Sequence, residues 1–243
     1  MFDLKTIGAA GLVAALSLGL TSQATAAIIG VSQGSGNAVL GTGSSQTPGA
    51  AAAEIDAPEF ALDDNVTNIG QQGFDEQQGV LLLSAITTDV ASGGSIAAGT
   101  LVSSHMIFLN TAQKEDGSNL EATHQDVTWT FDGAILGIMS SSNGSLEVNS
   151  SEVLGSTTTT YPAANFNARG LEGDPYADTN GTTGDLLRFV VGNDNELTVS
   201  MRVTEPGDWI RVVTAAVPLP AAAWLLLGGL AGLGFVSRKR KAA

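Results

Sequence analysis

The stretch FNARGLEGDPYADTNGTTGD (166–185) gathers Glu172, Asp174, Asp178, Asn180 and Asp185 around Gly and Pro, with Arg169 as the nearby cation. Oxygen ligands on a Gly-rich loop are what Ca²⁺ requires, about 6 to 8 of them at ~2.3–2.6 Å. Asp174, Asp178, Asn180 and Asp185 are therefore candidate ligands for a structural calcium ion. A plain solvated loop is the alternative, because DTNG does not keep the spacing of an EF-hand loop. The same carboxylates could serve glycoside hydrolysis only if two of them had split environments, one as acid and one as base or nucleophile. Nothing in the sequence isolates such a pair, and Tyr161, Phe166 and Tyr176 are the few aromatics near enough in sequence to stack a sugar. No other cofactor is expected.

The remaining chemistry is sparse. The two histidines are His105 and His124. In TLVSSHMIFL (100–109), His105 shares strand parity with Leu101, Ile107 and Leu109 while Val102, Met106 and Phe108 hold the other parity. Both faces are apolar, which predicts a central strand with the imidazole packed inward or at the sheet end; an acid–base or ligand role is the rival reading. His124, in EATHQD, reads as a surface loop residue. Gly30-Val31-Ser32-Gln33-Gly34 matches G-x-S-x-G, but a nucleophile elbow needs a strand before its serine and a helix after it within an α/β fold, and neither context is predicted. The absence of cysteine excludes a cysteine nucleophile, zinc-thiolate sites and iron–sulfur clusters.

The elements that must position these groups read as short strands punctuated by Gly, Asn, Asp and Pro. Predicted strands cover 80–90, 100–109, 125–131 and 134–140. In QDVTWTF, Val127, Trp129 and Phe131 share one face and Thr128 and Thr130 the other, the period of a half-buried strand. Leu197, Val199, Met201 and Val203 alternate with polar residues in the same way. With LLRFVV before it and DWIRVVTA after it, residues 186–215 predict a three-strand antiparallel meander. No helical period intervenes. The fold class expected is all-β, a single antiparallel, jelly-roll-like β-sandwich over 59–216.

Ahead of it, 28–58 is poor in bulky apolar residues and reads as a flexible Gly/Ser/Ala-rich arm with at most one early strand. Residues 28–217 hold 23 carboxylates against five cations, a formal charge of −18. Such acidity repels phosphate backbones and anionic lipid, which argues against a nucleic-acid partner.

Both ends of the chain carry address-like segments. Lys5, the apolar stretch Ile7 to Leu20 and the small residues Ala24-Thr25-Ala26 have the order of a cleaved signal peptide, 1–27, with the cut after Ala26 or Ala27 by signal peptidase. Fourteen residues make a helix of only about 21 Å, short of a ~30 Å hydrocarbon core. At the other end, 217–237 would form a helix of about 31 Å, long enough to span a bilayer. Arg238, Lys239, Arg240 and Lys241 then keep the basic end, 238–243, cytoplasmic. The domain would thus lie outside an inner-membrane intermediate with one transmembrane helix at 221–237.

Val217-Pro218-Leu219-Pro220-Ala221, followed by that apolar helix and the basic cluster, resembles the VPLPA-CTERM class of the PEP-CTERM sorting signals of Gram-negative bacteria. The resemblance covers 217–243. It implies recognition by an exosortase, a membrane-embedded cysteine enzyme that cuts near the proline motif and passes its substrate to the cell surface or medium. Proline suits such a site, since it stops the helix and keeps the segment extended. FDEQQGVLL (74–82), SHMIFLN (104–110), WTFDGAILGIM (129–139) and PGDWIRVVT (206–214) also resemble the central domain of proteins with such tails, which are associated with exopolysaccharide and biofilm matrix. The expected function is a non-enzymatic, exported surface or matrix protein, with exopolysaccharide as a possible partner. A carbohydrate-binding module is the first alternative and a secreted hydrolase the second.

Overall fold

The computed structural model describes residues 26–33, 39–40, 47–48, 51–61, 68–89, 94–110, 121–161, 170–171, 185–190, 192–204 and 207–217. In chain order the strands are β1 (Ile28–Ser32), β2 (Val39–Leu40), β3 (Thr47–Pro48), β4 (Ala53–Glu54), β5 (Asn68–Asp75), β6 (Val80–Leu81) and β7 (Ile86–Thr87). They continue with β8 (Ser95–Ile96), β9 (Leu101–Asn110), β10 (Glu121–Phe131), β11 (Ile135–Met139), β12 (Leu186–Phe189), β13 (Glu196–Thr204) and β14 (Asp208–Ala215). Among the described residues one helix, α1 (Ser145–Leu154), lies between β11 and β12.

Two six-stranded sheets account for most of these elements. The first runs β12-β13-β10-β2-β3, with β1 also on β10; the second runs β11-β14-β9-β5-β4, with β6 also on β9. Pairing is antiparallel except between β4 and β5. The described residues are therefore mostly antiparallel sheet.

Alternation along the strands explains where the core lies. Val127, Trp129 and Phe131 of β10 and Leu197, Val199, Met201 and Val203 of β13 turn one way, toward Ile107 and Leu109 of β9 and Ile210 and Val212 of β14. These side chains from both sheets form one buried cluster. Gly73 of β5 makes room in it: a Cβ there would stand 2.5 Å from the Trp129 ring. The second sheet is buried on its other face too. Phe74, Met106, Phe108 and Trp209 pack there with Ile55, Ala57, Ala61, Val148 and Tyr161. Farther along, Val102, Met139 and Val213 meet Leu82, Ile96, Leu146 and Leu154. Helix α1 and its flanking loops thus cover a face that a one-sided sheet would leave wet. This is why β9, covered on both sides, carries apolar side chains of both parities in Met106 to Leu109.

Several expectations change. The predicted meander does not form: β12 and β13 pair as expected, but β14 leaves them for the other sheet, where it lies between β9 and β11. The 80–90 run gives only two short pieces, β6 and β7. The segment expected to be a flexible arm supplies β1, registered on β10 from Ile28 to Ser32, and both Ile28 and Ala52 are buried in the main core. The packed domain therefore takes in residues well ahead of 59. His124 is no surface residue; β10 begins at Glu121, and the imidazole is buried at 1 % exposure. Helix α1 was not anticipated. Among the described residues no helix is long and apolar enough to cross a membrane. The predicted signal segment up to residue 25 and the span 221–237 lie outside those residues.

Candidate functional site

The most concentrated chemistry lies beneath α1. Arg211, on the outer face of β14, is fully buried, and each of its N–H groups has an acceptor. Its Nε and Nη2 donate to Glu76 Oε2 and Oε1 at 2.7 and 2.8 Å, a two-pronged pair. Nη1 donates to the Glu147 carbonyl and to Ser150 Oγ, and Nη2 also to Ser151 Oγ, so the guanidinium grips hydroxyls and backbone of the helix. Glu76 accepts two further bonds, from the Ser104 hydroxyl and the Tyr161 hydroxyl, each 2.6 Å. Tyr161 stacks on Trp209, and the guanidinium lies over both rings at 5.5 and 5.9 Å.

The charges follow from this geometry. Burial by itself would lower the Arg211 pKa; the Glu76 carboxylate, helped by Tyr161 and Glu147, outweighs it and the pKa rises. Burial and the adjacent Glu76 push the Tyr161 phenol up, so it stays a donor. Glu147 is different. Its Oε2 accepts from Ser141 Oγ at 3.1 Å, while its Oε1 is buried without a hydrogen-bond partner among the described residues. Burial raises its pKa from 4.5 to about 7.

A second line of polar groups sits at the end of the inter-sheet core. His105 Nδ1 donates to Asp75 Oδ1 at 2.7 Å, and its Nε2 lies 3.0 Å from Thr214 Oγ1. Acid, imidazole and hydroxyl in that order are the parts of an activated nucleophile. Here His105 and Thr214 are both fully buried, the ring packs 4.8 Å from Phe131, and Ile28 N–H occupies the same Asp75 oxygen. The hydroxyl and the imidazole are closed off in this way, and the bonds orient strands β5, β9 and β14. The packed-inward reading of His105 describes what is seen.

His124 belongs to a third set. Gln71 N–H donates to His124 Nδ1, its Nε2 to the carbonyls of His124 and Val199, and its Oε1 accepts from Trp129 Nε1. One side chain from β5 thereby ties β10 and β13 across the core. Burial lowers the His124 pKa, consistent with an imidazole that accepts at Nδ1.

Of the candidate calcium ligands, Asp174, Asp178 and Asn180 lie outside the described residues. Asp185 is buried and its Oδ1 accepts the Arg202 N–H at 2.8 Å, so it holds β13 at the entrance to β12. Among the described residues no group of three or more His, Asp or Glu could hold a metal ion. Ser32, in the G-x-S-x-G match, is exposed at the end of β1, and the adjacent Gln33 is occupied with both backbone groups of Ala52. Ala26 is buried and Ala27 half-buried, with the Ala27 N–H bonded to Asp132 Oδ1 at 2.6 Å. In the sorting motif only Val217 is described; Pro218, Leu219, Pro220 and Ala221 are outside.

Sequence reasoning missed the Arg211 centre. Its signal was an arginine alone in the apolar strand WIRVVT, in a segment with very few cations. No family model, curated protein or solved structure matches the chain.

Proposed function

We propose that the chain is an exported, non-enzymatic protein of the cell surface or extracellular matrix, delivered by a signal peptide and sorted by an exosortase through its VPLPA tail. The observation that carries this reading is the order of the last residues: Val217 to Ala221, an apolar segment of spanning length, then Arg238 to Lys241. The polar centres of the domain support it. Arg211–Glu76, His105–Thr214 and Gln71–His124 lie inside the packing, with Asp75 partly exposed beside His105, and they join elements to one another. The successive crossings between sheets, from β9 to β10 to β11 and from β13 to β14, support a jelly-roll-like sandwich. Exopolysaccharide is the partner class this context suggests. A carbohydrate-binding surface would need aligned exposed aromatics, and Phe189 is the one aromatic among the large exposed hydrophobics of the described residues.

Intact-mass analysis of the protein from cells and from medium tests the reading. The expected mature form begins at Ala27 or Ile28 and lacks the basic end. A surface form still ending in RKRKAA would leave a plain single-pass anchor and remove the sorting step.

A further inference from the structure

Three successive backbone N–H groups lead into β1, and each meets a different acceptor. Ala26 N–H donates to Gln78 Oε1 and to Ser103 Oγ, each at 3.1 Å, and Ala26 is fully buried. Ala27 N–H donates to Asp132 Oδ1 at 2.6 Å, at an exposed position. Ile28 N–H donates to Asp75 Oδ1 at 3.0 Å, the oxygen that His105 Nδ1 reaches at 2.7 Å, and Ile28 is only 3 % exposed. The acceptors are thus neutral at 26 and carboxylates at 27 and 28.

Asp132, in the turn between β10 and β11, holds residue 27 from both sides. Its N–H donates to the Ala27 carbonyl at 3.0 Å while its carboxylate takes the Ala27 N–H. Gly133 seats this turn against β14, since a Cβ there would stand 2.1 Å from the Ala215 carbonyl oxygen. The corner is rich in acids. Asp75 of β5, with His105 of β9 against it, lies one residue along, and Glu54 of β4 has its carboxyl raised by burial and then by Asp75. Among the described residues no side-chain cation pairs with Asp132.

We infer that Asp132 is the binding site for the α-ammonium group of the mature chain, and that this chain begins at Ala27. The inference rests on the reading of the amino end as a cleaved signal peptide, and it chooses between the two cuts. Ala24 and Ala26 have the small-residue spacing for a cut after Ala26. The ammonium made there lies against the Asp132 carboxylate on a half-buried residue open to solvent, and every pairing of β1 with β10 survives. A cut after Ala27 would place the ammonium on buried Ile28, where it shares one oxygen with His105, and would take from Asp132 both bonds to residue 27. A chain starting at Ala26 would bury the ammonium against neutral acceptors, which is costly. Loss of Ala26 leaves both of its partners bonded: Ser103 Oγ still accepts the Gly79 N–H at 3.2 Å, and Gln78 Nε2 still donates to the Ser104 carbonyl at 2.9 Å. Processing thereby converts a neutral clasp on β1 into an ion pair.

The full chain, expressed with its own leader in a Gram-negative host and recovered after export, would be read by amino-terminal sequencing. The expected first residue is Ala27. A start at Ile28, at Ala26 or at Thr25 overturns the inference while leaving the signal peptide in place; a start at Met1 removes that reading and the inference with it. On the processed protein, acylation of the α-amine is then followed against pH. Its midpoint should lie above the ordinary range of about 7.7–8.0 by roughly half a pH unit, the size an exposed ion pair supplies, and should return to that range in Asp132→Asn. Glu152→Gln, which removes one exposed charge from α1, should leave the midpoint in place. Equal midpoints in the natural chain and Asp132→Asn overturn the inference, and so does an equal fall in both variants.

Discussion

Glu147 is where the interior holds an acid with half its hydrogen bonding unmet. Its ordinary pKa of 4.5 is raised to about 7, chiefly by burial. Asp89 pushes in the same direction, while the Ser141 hydroxyl, its own backbone N–H and the Arg211 charge offset part of the effect. Between pH 4.5 and about 7 the folded chain keeps a proton that the unfolded chain has released. Stability from this group is complete below that window and falls as pH rises through it. Above it the carboxylate must ionise in place, at a penalty of about 3 kcal/mol, taking ~1.4 kcal/mol per pH unit of displacement. Urea unfolding at pH 5, 6, 7 and 8, followed by the fluorescence of the buried Trp129 and Trp209, measures the slope. The general repulsion of an acidic chain contributes to that slope as well, so the comparison is with Glu147→Gln, which keeps the shape and cannot ionise. The difference between the two chains should change by about 2.5 kcal/mol from pH 5 to pH 8, in favour of Gln at the higher pH. Parallel curves would refute the reasoning.

Two further outcomes are expected. Arg211→Met leaves Glu76 buried without its counter-charge and should lower stability by about 3–5 kcal/mol, whereas Arg211→Met with Glu76→Gln should recover at least ~1 kcal/mol of it; a double variant as unstable as the single one would count against the charge argument. The His124 imidazole should titrate below its usual 6.5 in a histidine NMR titration, because burial disfavours the cation. Its contribution to stability is present above that value and lost as pH falls below it, and a midpoint at or above 6.5 would sink the assignment.

The strands with one buried face were legible because their period is backbone geometry: Trp129 and its neighbours, and Leu197 to Val203, could point only one way. Which sheet a strand joins is not written in its period. The turn between β13 and β14 suited a hairpin, yet the apolar residues on β14 were needed on both sides, and a strand with two buried faces belongs at the centre of the covered sheet. Helix α1 escaped notice because the side chains it buries include Glu147 and Ser150 with Leu154, so no apolar stripe marks it. His124 was placed in a loop because its polar neighbours suggest one. The strand continues through them by an irregularity between His124 and Val127, with Asp126 at a positive φ of 55°. The Arg211–Glu76 pair joins residues far apart in the chain, and a single sequence holds no record of that meeting.

The position of β9 also sets the order in which the domain can assemble. Its partners come from both directions along the chain, β5 and β6 ahead of it and β14 last of all, where Val102 waits for Ala215 and Leu109 for Asp208. Such distant pairings make for slow folding. A chain emerging from its amino end would therefore expose the Met106 and Phe108 face until almost the whole domain had been delivered. Closure of the central sheet is then a late event, and export as proposed above would have the chain cross the membrane before that sheet is complete.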